Sequence, residues 1–335
     1  MDLAVVWFCL IAVLWAGYFV LEGFDFGVGM LLAVLPRRED ERKAMLDTIG
    51  PFWDGNEVWL VVAAGATFAA FPAWYATMFS GFYLVLLLIL VLLIVRAISF
   101  EWIERGDHPR WRGTWRRLNS IASVGAPFLW GVALANLLHG VPLNSKGDFA
   151  GSLGDLFSAY TVLAGVTAVL LFALHGATFL TLRTSGELCE RAALAARRLC
   201  APAAIAALAF LAATVDVAVD RNERDVFPTV LPAALGVAAL VLVVLFVLWD
   251  RSGWAFAMTA LVAGLLVATI FTGLYPRVLV SHPDFGNSLT IADASAAHYA
   301  LSVITVVAAV FTPLVLLYQG WTYHVFRHRV GGSPG

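Results

Sequence analysis

Five charged side chains stand where an apolar sequence offers them no water. Glu22 and Asp25 lie three residues apart in the first long apolar run, Asp54 and Glu57 open the second, and Arg96 falls inside the third. Residues three apart share a helix face. A charge at the bilayer centre costs at least ~2.5–3.5 kcal/mol on insertion scales, so each of the five requires a reason. One reason is structural: Arg96 neutralises a single carboxylate and locks three helices together. The other is chemical: carboxylates on adjacent helices pass a proton stepwise from the cytoplasmic side, as intramembrane acids do in pumps and transporters. Acids outnumber the one base, which favours a path.

The elements that position these residues follow from composition. The chain of 335 residues is 61% hydrophobic and only 13% charged, with a mean hydropathy of +0.85. A soluble domain carries roughly a quarter charged residues. Repeated apolar runs of this length fit only a bilayer, and only as helices, because lipid offers the backbone no hydrogen-bond partner. The fold class expected is therefore all-α and integral to the membrane. About nine spans are expected, near 3–35, 51–72, 78–103, 117–138, 157–182, 199–219, 229–249, 254–276 and 297–323. The start Met1-Asp2-Leu3 lacks the basic n-region of a cleaved signal peptide and reads as the opening of the first span. Basic residues alternate between loops: sixteen fall on one side, in loops 36–50, 104–117 and 183–198, at Arg251 and in the tail. The opposite set holds four, Lys146, Arg221, Arg224 and Arg277. That asymmetry puts the N-terminus outside and the C-terminus in the cytoplasm. The final Gly331 to Gly335 reads as a disordered tail.

Depth then follows from the helical rise of about 1.5 Å per residue. Counted from Leu35, Asp25 lies roughly 15 Å above the inner end of its helix, with Glu22 one turn further out. Asp54 and Glu57 occupy the first two turns of the second span, and Arg96 sits above the inner end of the third. Gly23, Gly27 and Gly29 place small residues on the first span, where a neighbouring backbone can approach closely. A faint repeat at an offset of 153 aligns Leu21-Glu22-Gly23-Phe24-Asp25-Phe26 with Leu174-His175-Gly176-Ala177-Thr178-Phe179. Spans one to four and five to eight thus read as two related four-helix units, residues 1–156 and 157–276, with a ninth helix and tail in 277–335.

Other residue types narrow the chemistry. Of the seven histidines only His175 lies well inside a span, so a bis-histidine haem has no matched pair, and an interhelical hydrogen bond is the better role for His175. Cys9, Cys189 and Cys200 form no C-x-x-C pair. No basic stripe interleaved with aromatics is present, which argues against nucleic acid. Most tryptophans mark span ends, whereas Trp53 and Trp59 bracket the acidic stretch.

The blocks Glu22-Gly23-Phe24-Asp25-Phe26-Gly27-Val28-Gly29 and Trp53-Asp54-Gly55-Asn56-Glu57-Val58-Trp59 resemble subunit II of the cytochrome bd quinol oxidases. So do Asn136-Leu137-Leu138-His139-Gly140-Val141-Pro142, Arg183-Thr184-Ser185-Gly186-Glu187-Leu188 and Asn287-Ser288-Leu289-Thr290 with Asp293, in order along nearly the whole chain. The resemblance implies two four-helix bundles plus one helix. It implies an electrogenic quinol:oxygen oxidoreductase in the bacterial inner membrane, with haems b and d in a larger partner, subunit I, and no cofactor ligated by this chain. It assigns Asp25 and Asp54, with Glu57 and Glu22 beside them, to a cytoplasmic proton route and Arg96 to its electrostatic partner. Trp59 matches the mouth of an oxygen channel in some members. The resemblance also admits small single-span accessory subunits and a structural quinone. A secondary transporter with its own substrate site, or a purely structural partner whose charges set helix register, are the competing readings. A repeat between spans of the same orientation fits paired bundles better than the inverted repeats of transporters.

Overall fold

The computed structural model describes residues 2–106, 108–222 and 226–330. Arg224 and the tail 331–335, expected outside the membrane and disordered respectively, lie beyond the described residues. Twelve α-helices are described: α1 Leu3–Leu31, α2 Glu39–Ile49, α3 Trp53–Ala70, α4 Pro72–Gly81, α5 Tyr83–Arg105, α6 Pro109–His139, α7 Ala159–Arg183, α8 Gly186–Asn222, α9 Val226–Leu248, α10 Ser252–Leu274, α11 Ile291–Ala294 and α12 His298–Val325. A two-stranded antiparallel sheet joins β1, Arg277–Leu279, to β2, Leu289–Thr290.

Eight of the described helices are long and apolar enough to cross a membrane: α1, α5 to α10 and α12. The second expected span corresponds to α3, which at 18 residues is about 27 Å long and near the hydrocarbon thickness. It falls short in apolar character because Asp54, Asn56 and Glu57 occupy its first turns. The side of α3 facing the bundle carries Asn56, Ala63, Thr67 and Ala70, a helical repeat turned toward α1.

Three boundaries differ from expectation, each for a local reason. α1 stops at Leu31 rather than Leu35, because the chain tightens into turns before Pro36, and a residue preceding proline disfavours helix. Asp25 is therefore six residues, about 9 Å, from the end of its helix rather than 15 Å. The loop 183–198 is largely helix: Ala192, Ala193, Ala195 and Ala196 with Arg and Leu are strong helix formers, and they extend α8 to 37 residues. The loop 36–50 contains α2, started by Glu41, whose Oε2 accepts from the N–H of Arg37 at 2.6 Å and of Arg38 at 3.3 Å.

Those loops gather on one face of the bundle. Arg116 donates to Glu39 at 2.8 Å, Arg191 pairs with Glu41 at 2.6 Å, and Arg197 pairs with Asp250 at 2.7 Å. Val330 N–H donates to the Arg183 carbonyl at 2.7 Å. Four loops and the chain's end that share the excess of basic residues are thus tied to one another. At the opposite end β1, β2 and loop 140–157 form a cap, with Asn287 Nδ2 donating to the Leu143 carbonyl at 2.9 Å and Val141 bridging Ser281.

Glycines set the helix approach at the centre. A Cβ added to Gly27 would meet the Gly176 nitrogen at 2.7 Å, and one on Gly23 would meet the Phe172 ring at 2.9 Å. Gly23 meets Phe172 and Gly27 meets Gly176, so the contacts advance together and α1 and α7 run parallel. α12 is the outlier: of its 28 residues only Leu301 is buried, and it lies against α3 and α1 at the edge of the bundle.

Candidate functional site

The intramembrane charges are assembled by four helices. α1 presents Glu22 and Asp25 one turn apart, α3 presents Asp54, Asn56, Glu57 and Trp59, α5 brings Arg96, and α12 closes the edge with Gln319 and Tyr323. Glu22 is nine residues from the end of α1, and Arg96 nine from the end of α5. Both sit about 14 Å from the same end of the bundle, and that shared depth brings them together.

Arg96 donates to Glu22 in an ion pair whose partners are 1% and 0% exposed. The guanidinium also lies over the rings of Phe26, 4.6 Å from the centroid, and Phe100, at 5.2 Å. Both rings offer their negative faces to the cation. Asp25 is equally buried but takes a different partner: its Oδ2 accepts from Asn56 Nδ2 at 2.7 Å. Glu22 Oε2, Asp25 Oδ1, and Arg96 Nε and Nη2 are buried without a hydrogen-bond partner among the described residues. A fully satisfied ion pair would have no such open valences. Glu57 is half-buried and interacts electrostatically with Arg96, Glu22 and Asp25. Asp54 is exposed on the surface of this chain and reaches the group only through its interaction with Glu57. Glu22, Asp25, Glu57 and Arg96 thus form one group, with Asp54 at its outer margin.

Trp59 fills the notch left by Gly17, where an added Cβ would overlap the indole ring, 2.5 Å from its Cε3. Its Nε1 donates to Gln319 Oε1 at 2.8 Å. His175 spends both ring nitrogens inside the protein. Nε2 lies 3.1 Å from the Val20 carbonyl, which can only accept, so Nε2 carries the proton; Nδ1 lies 2.7 Å from the Thr259 hydroxyl, whose one proton is shared with the Phe256 carbonyl at 2.8 Å. The ring stacks on Phe256 with centroids 4.5 Å apart. His175 is an interhelical tie between α7, α10 and α1.

Three residues of the site escaped sequence reasoning: Asn56, Gln319 and Tyr323. Tyr323 OH donates to Asn56 Oδ1 at 2.8 Å, and Gln319 Nε2 donates to the same oxygen at 3.3 Å. Asn56 Nδ2 is also 3.3 Å from the Leu21 carbonyl. A signal existed for two of them. Thr305, Gln319 and Tyr323 fall on one stripe of α12, spaced by four turns and then one, and Thr305 accepts from Trp7 Nε1 at 2.9 Å on that stripe.

A small apolar cavity between α1, α6, α7, α8 and α10 has a volume of about 40 Å³ and is lined by Phe19, Leu134, Phe172, Phe210 and Ile270 among others. Its one hydroxyl, Thr167, donates to the Ala206 carbonyl at 3.1 Å. No side chain there is left to hold a quinone carbonyl, so this cavity does not fit the structural quinone that the resemblance admits. Among the described residues no group of three His, Cys, Asp or Glu side chains is placed to hold a metal ion.

The fold is an all-α bundle of membrane-crossing helices around a buried carboxylate–arginine group, and comparison with known proteins makes that class specific. Residues 3–326 match the family model for cytochrome bd terminal oxidase subunit II. The chain is 41% identical over 327 residues to cytochrome bd ubiquinol oxidase subunit 2 of Bacillus subtilis, covering 97% of this chain and 96% of that one. It is 34% identical over 360 residues to cytochrome bd-I ubiquinol oxidase subunit 2 of Escherichia coli K12, covering 97% and 94%. The bd oxidase structure from Geobacillus thermodenitrificans shares the fold, with a TM-score of 0.76 at 18% identity over 97% of each chain. The chain belongs to the cytochrome bd terminal oxidase subunit II family.

Proposed function

We propose that this chain is the haem-free subunit of a quinol:oxygen oxidoreductase that supports a haem-bearing subunit I and supplies it with protons from the cytoplasm. The observation that carries the reading is the buried acid excess: Glu22 and Asp25 are both fully enclosed, one arginine serves them, and each keeps an oxygen without a partner. A structural lock needs as many acids as bases and no open oxygens. A route needs acids that can each take a proton from one side and release it to the other.

The chemistry in the partner is two quinols oxidised per dioxygen reduced to two waters, and the protons joining oxygen come through the protein. Asp54, exposed at the start of α3, is the outer member that meets water. Glu57 lies one turn along the same face and takes the proton inward, and Glu22 and Asp25 hold it beside Arg96, whose fixed charge keeps a carboxylate available. The excess of basic residues on the tied loops is the basis for reading that face as cytoplasmic, with the N-terminus outside. Residues 1–156 form the unit that carries the route, 157–276 the unit that lacks its acidic cluster, and 277–335 the added helix. The apolar outer faces of α3, α5 and α12 meet lipid, the partner subunit and any small single-span companion.

The test is Asp25→Asn and, separately, Asp54→Asn in the assembled oxidase. Oxygen consumption falls while the haem spectrum and content stay normal. Unchanged turnover in both would remove the route, and loss of haem would mean that the residues serve assembly.

A further inference from the structure

α12 buries only Leu301 of its 28 residues, yet it places a tyrosine and a glutamine on a single oxygen of the residue that holds Asp25. From this we infer that Asn56 is the positioning residue for Asp25 and that Tyr323 and Gln319 hold it in place, so that α12 belongs to the proton machinery. This inference rests on the proposed route through Asp25.

The argument starts from the valences of the amide. Asn56 Oδ1 accepts from Tyr323 OH at 2.8 Å and from Gln319 Nε2 at 3.3 Å. Its Nδ2 donates to Asp25 Oδ2 at 2.7 Å and to the Leu21 carbonyl at 3.3 Å. Two lone pairs and two N–H groups are all used, and the side chain is fully buried. The orientation is determined from both ends. A flipped amide would set an oxygen against the Asp25 carboxylate and the Leu21 carbonyl, and an N–H group against two donors. Gln319 is itself held by Trp59 Nε1 on its Oε1 at 2.8 Å, and the Tyr323 ring stacks on Phe52 with centroids 4.5 Å apart. The donors therefore have little freedom of their own.

A fixed amide gives Asp25 a direction. Its Oδ2 faces an N–H and is an acceptor whether the carboxyl is charged or neutral. The exchangeable proton accordingly belongs on Oδ1, the oxygen that is buried without a protein partner. The amide carries no exchangeable acid proton in this range and closes the Oδ2 side, so the Tyr323 hydroxyl is not a second entrance. Exchange at Asp25 runs through Oδ1, within the field of Arg96 and Glu22. A docking contact alone does not require this arrangement. Thr305 on the same stripe already ties α12 to Trp7 at 2.9 Å, some fourteen residues or about 21 Å from Gln319.

The test uses the assembled oxidase with Tyr323→Phe, Gln319→Leu and Asn56→Leu, with Asp25→Asn as the route control and Thr305→Val as the docking control. Tyr323→Phe removes one uncharged buried hydrogen bond, and kcat falls roughly two- to tenfold. Asn56→Leu removes the bond to the carboxyl, and kcat falls about tenfold or more. In both, KM for quinol and for oxygen is unchanged, and the solvent deuterium isotope effect on kcat rises because proton transfer has become slower. Thr305→Val leaves kcat and the isotope effect as in the parent. If Asp25→Asn slows turnover while Tyr323→Phe, Gln319→Leu and Asn56→Leu all keep the parent kcat and isotope effect, Asn56 does not position Asp25 and the inference is overturned. If Asp25→Asn is itself without effect, the route fails and the inference fails with it. Should Asn56→Leu not assemble, the two α12 variants decide the matter alone.

Discussion

The Glu22–Arg96 pair can be taken apart in a way that separates holding helices from moving protons. Both partners are essentially without solvent exposure, and removing one partner of a buried pair leaves the other charge uncompensated at a cost of about 3–5 kcal/mol. That is roughly a hundred- to several-thousandfold in the population of the native arrangement. Arg96→Leu bears the full cost, because Glu22, Asp25 and Glu57 then share one low-dielectric site with no cation. Glu22→Gln lies at the lower end, since the guanidinium keeps the faces of Phe26 and Phe100 and the fields of Asp25 and Glu57. In the double variant Glu22→Gln with Arg96→Met the pair itself is replaced, which recovers the part of the cost that belongs to Glu22, while Asp25 and Glu57 still share the site without a cation. Thermal inactivation and haem retention of the purified oxidase should therefore rank Arg96→Leu lowest, with the double variant above it because one buried acid fewer is left without a cation. Oxygen consumption is then measured on the double variant. It is expected to stay well below the parent, because the acid assigned to the proposed route is gone. A double variant no more stable than Arg96→Leu would refute the pairing energetics, and one that is stable with parental turnover would reduce Glu22 to a lock.

Three further outcomes follow from other parts of the molecule. Gly27→Val drives a branched side chain into the Gly176 backbone, which an added Cβ already meets at 2.7 Å, so the assembled complex is lost from membranes by immunoblot whereas Gly65→Ala, with nothing near its Cβ position, accumulates normally. Burial alone would raise the Glu41 carboxyl, but the N–H groups of Arg37 and Arg38 and the Arg191 guanidinium outweigh it and hold the carboxyl down at about 2, below its ordinary 4.5. A depressed acid gives stability that is complete above pH ~4.5 and lost as pH falls toward 2; hydrogen exchange of α2 should rise through that window in the parent, and Glu41→Gln should show fast exchange at every pH. His175→Ala leaves the Val20 carbonyl and the Thr259 hydroxyl without their shared partner and lowers the inactivation temperature, while its effect on kcat is slight, since the ring touches none of the acids; parental thermal stability would contradict the role of interhelical tie.

The parts of this fold that were legible in the sequence are those that hydrophobicity and charge decide together. Apolar length alone located eight of the spans, because lipid leaves the backbone no alternative to helix. The second span was found despite its low apolar character, through its position between two breaks. Loop charge gathered the right loops, and the ties Glu39–Arg116, Glu41–Arg191 and Arg197–Asp250 join them on one face. What was not legible is what depends on rotation about a helix axis. Asp54 and Asn56 are two residues apart, and only the packing of α3 on α1 decides that Asn56 turns inward while Asp54 stays exposed. The depth of Asp25 was misjudged because Leu32 to Leu35 are as apolar as the helix before them, and only the approach to Pro36 ends it. The partner of Arg96 was open among four acids until the two nine-residue distances to the helix ends came together.

The proposed repeat aligns α1 with α7, and the two helices differ in their buried carboxylates. His175 occupies the place of Glu22 in the repeat, and Thr178 that of Asp25. Both polar residues of the second copy are satisfied locally: His175 by Thr259 and Val20, and Thr178 by the His175 carbonyl at 2.8 Å. None of those bonds requires a net charge, so under the proposed repeat α7 presents a neutral, closed version of the helix face that α1 presents. The first copy differs in having acids with open oxygens and one arginine, at the cost of burying charge. A substitution that makes α1 resemble α7, Glu22→His with Asp25→Thr and Arg96→Leu, should therefore be tolerated by the bundle and abolish only what the charges do. The measured pair is haem content against oxygen consumption in the assembled oxidase. Retained haem with turnover near background assigns the acidic face to proton delivery, and retained haem with parental turnover would leave the charges of α1 with no function beyond the packing that α7 achieves without them.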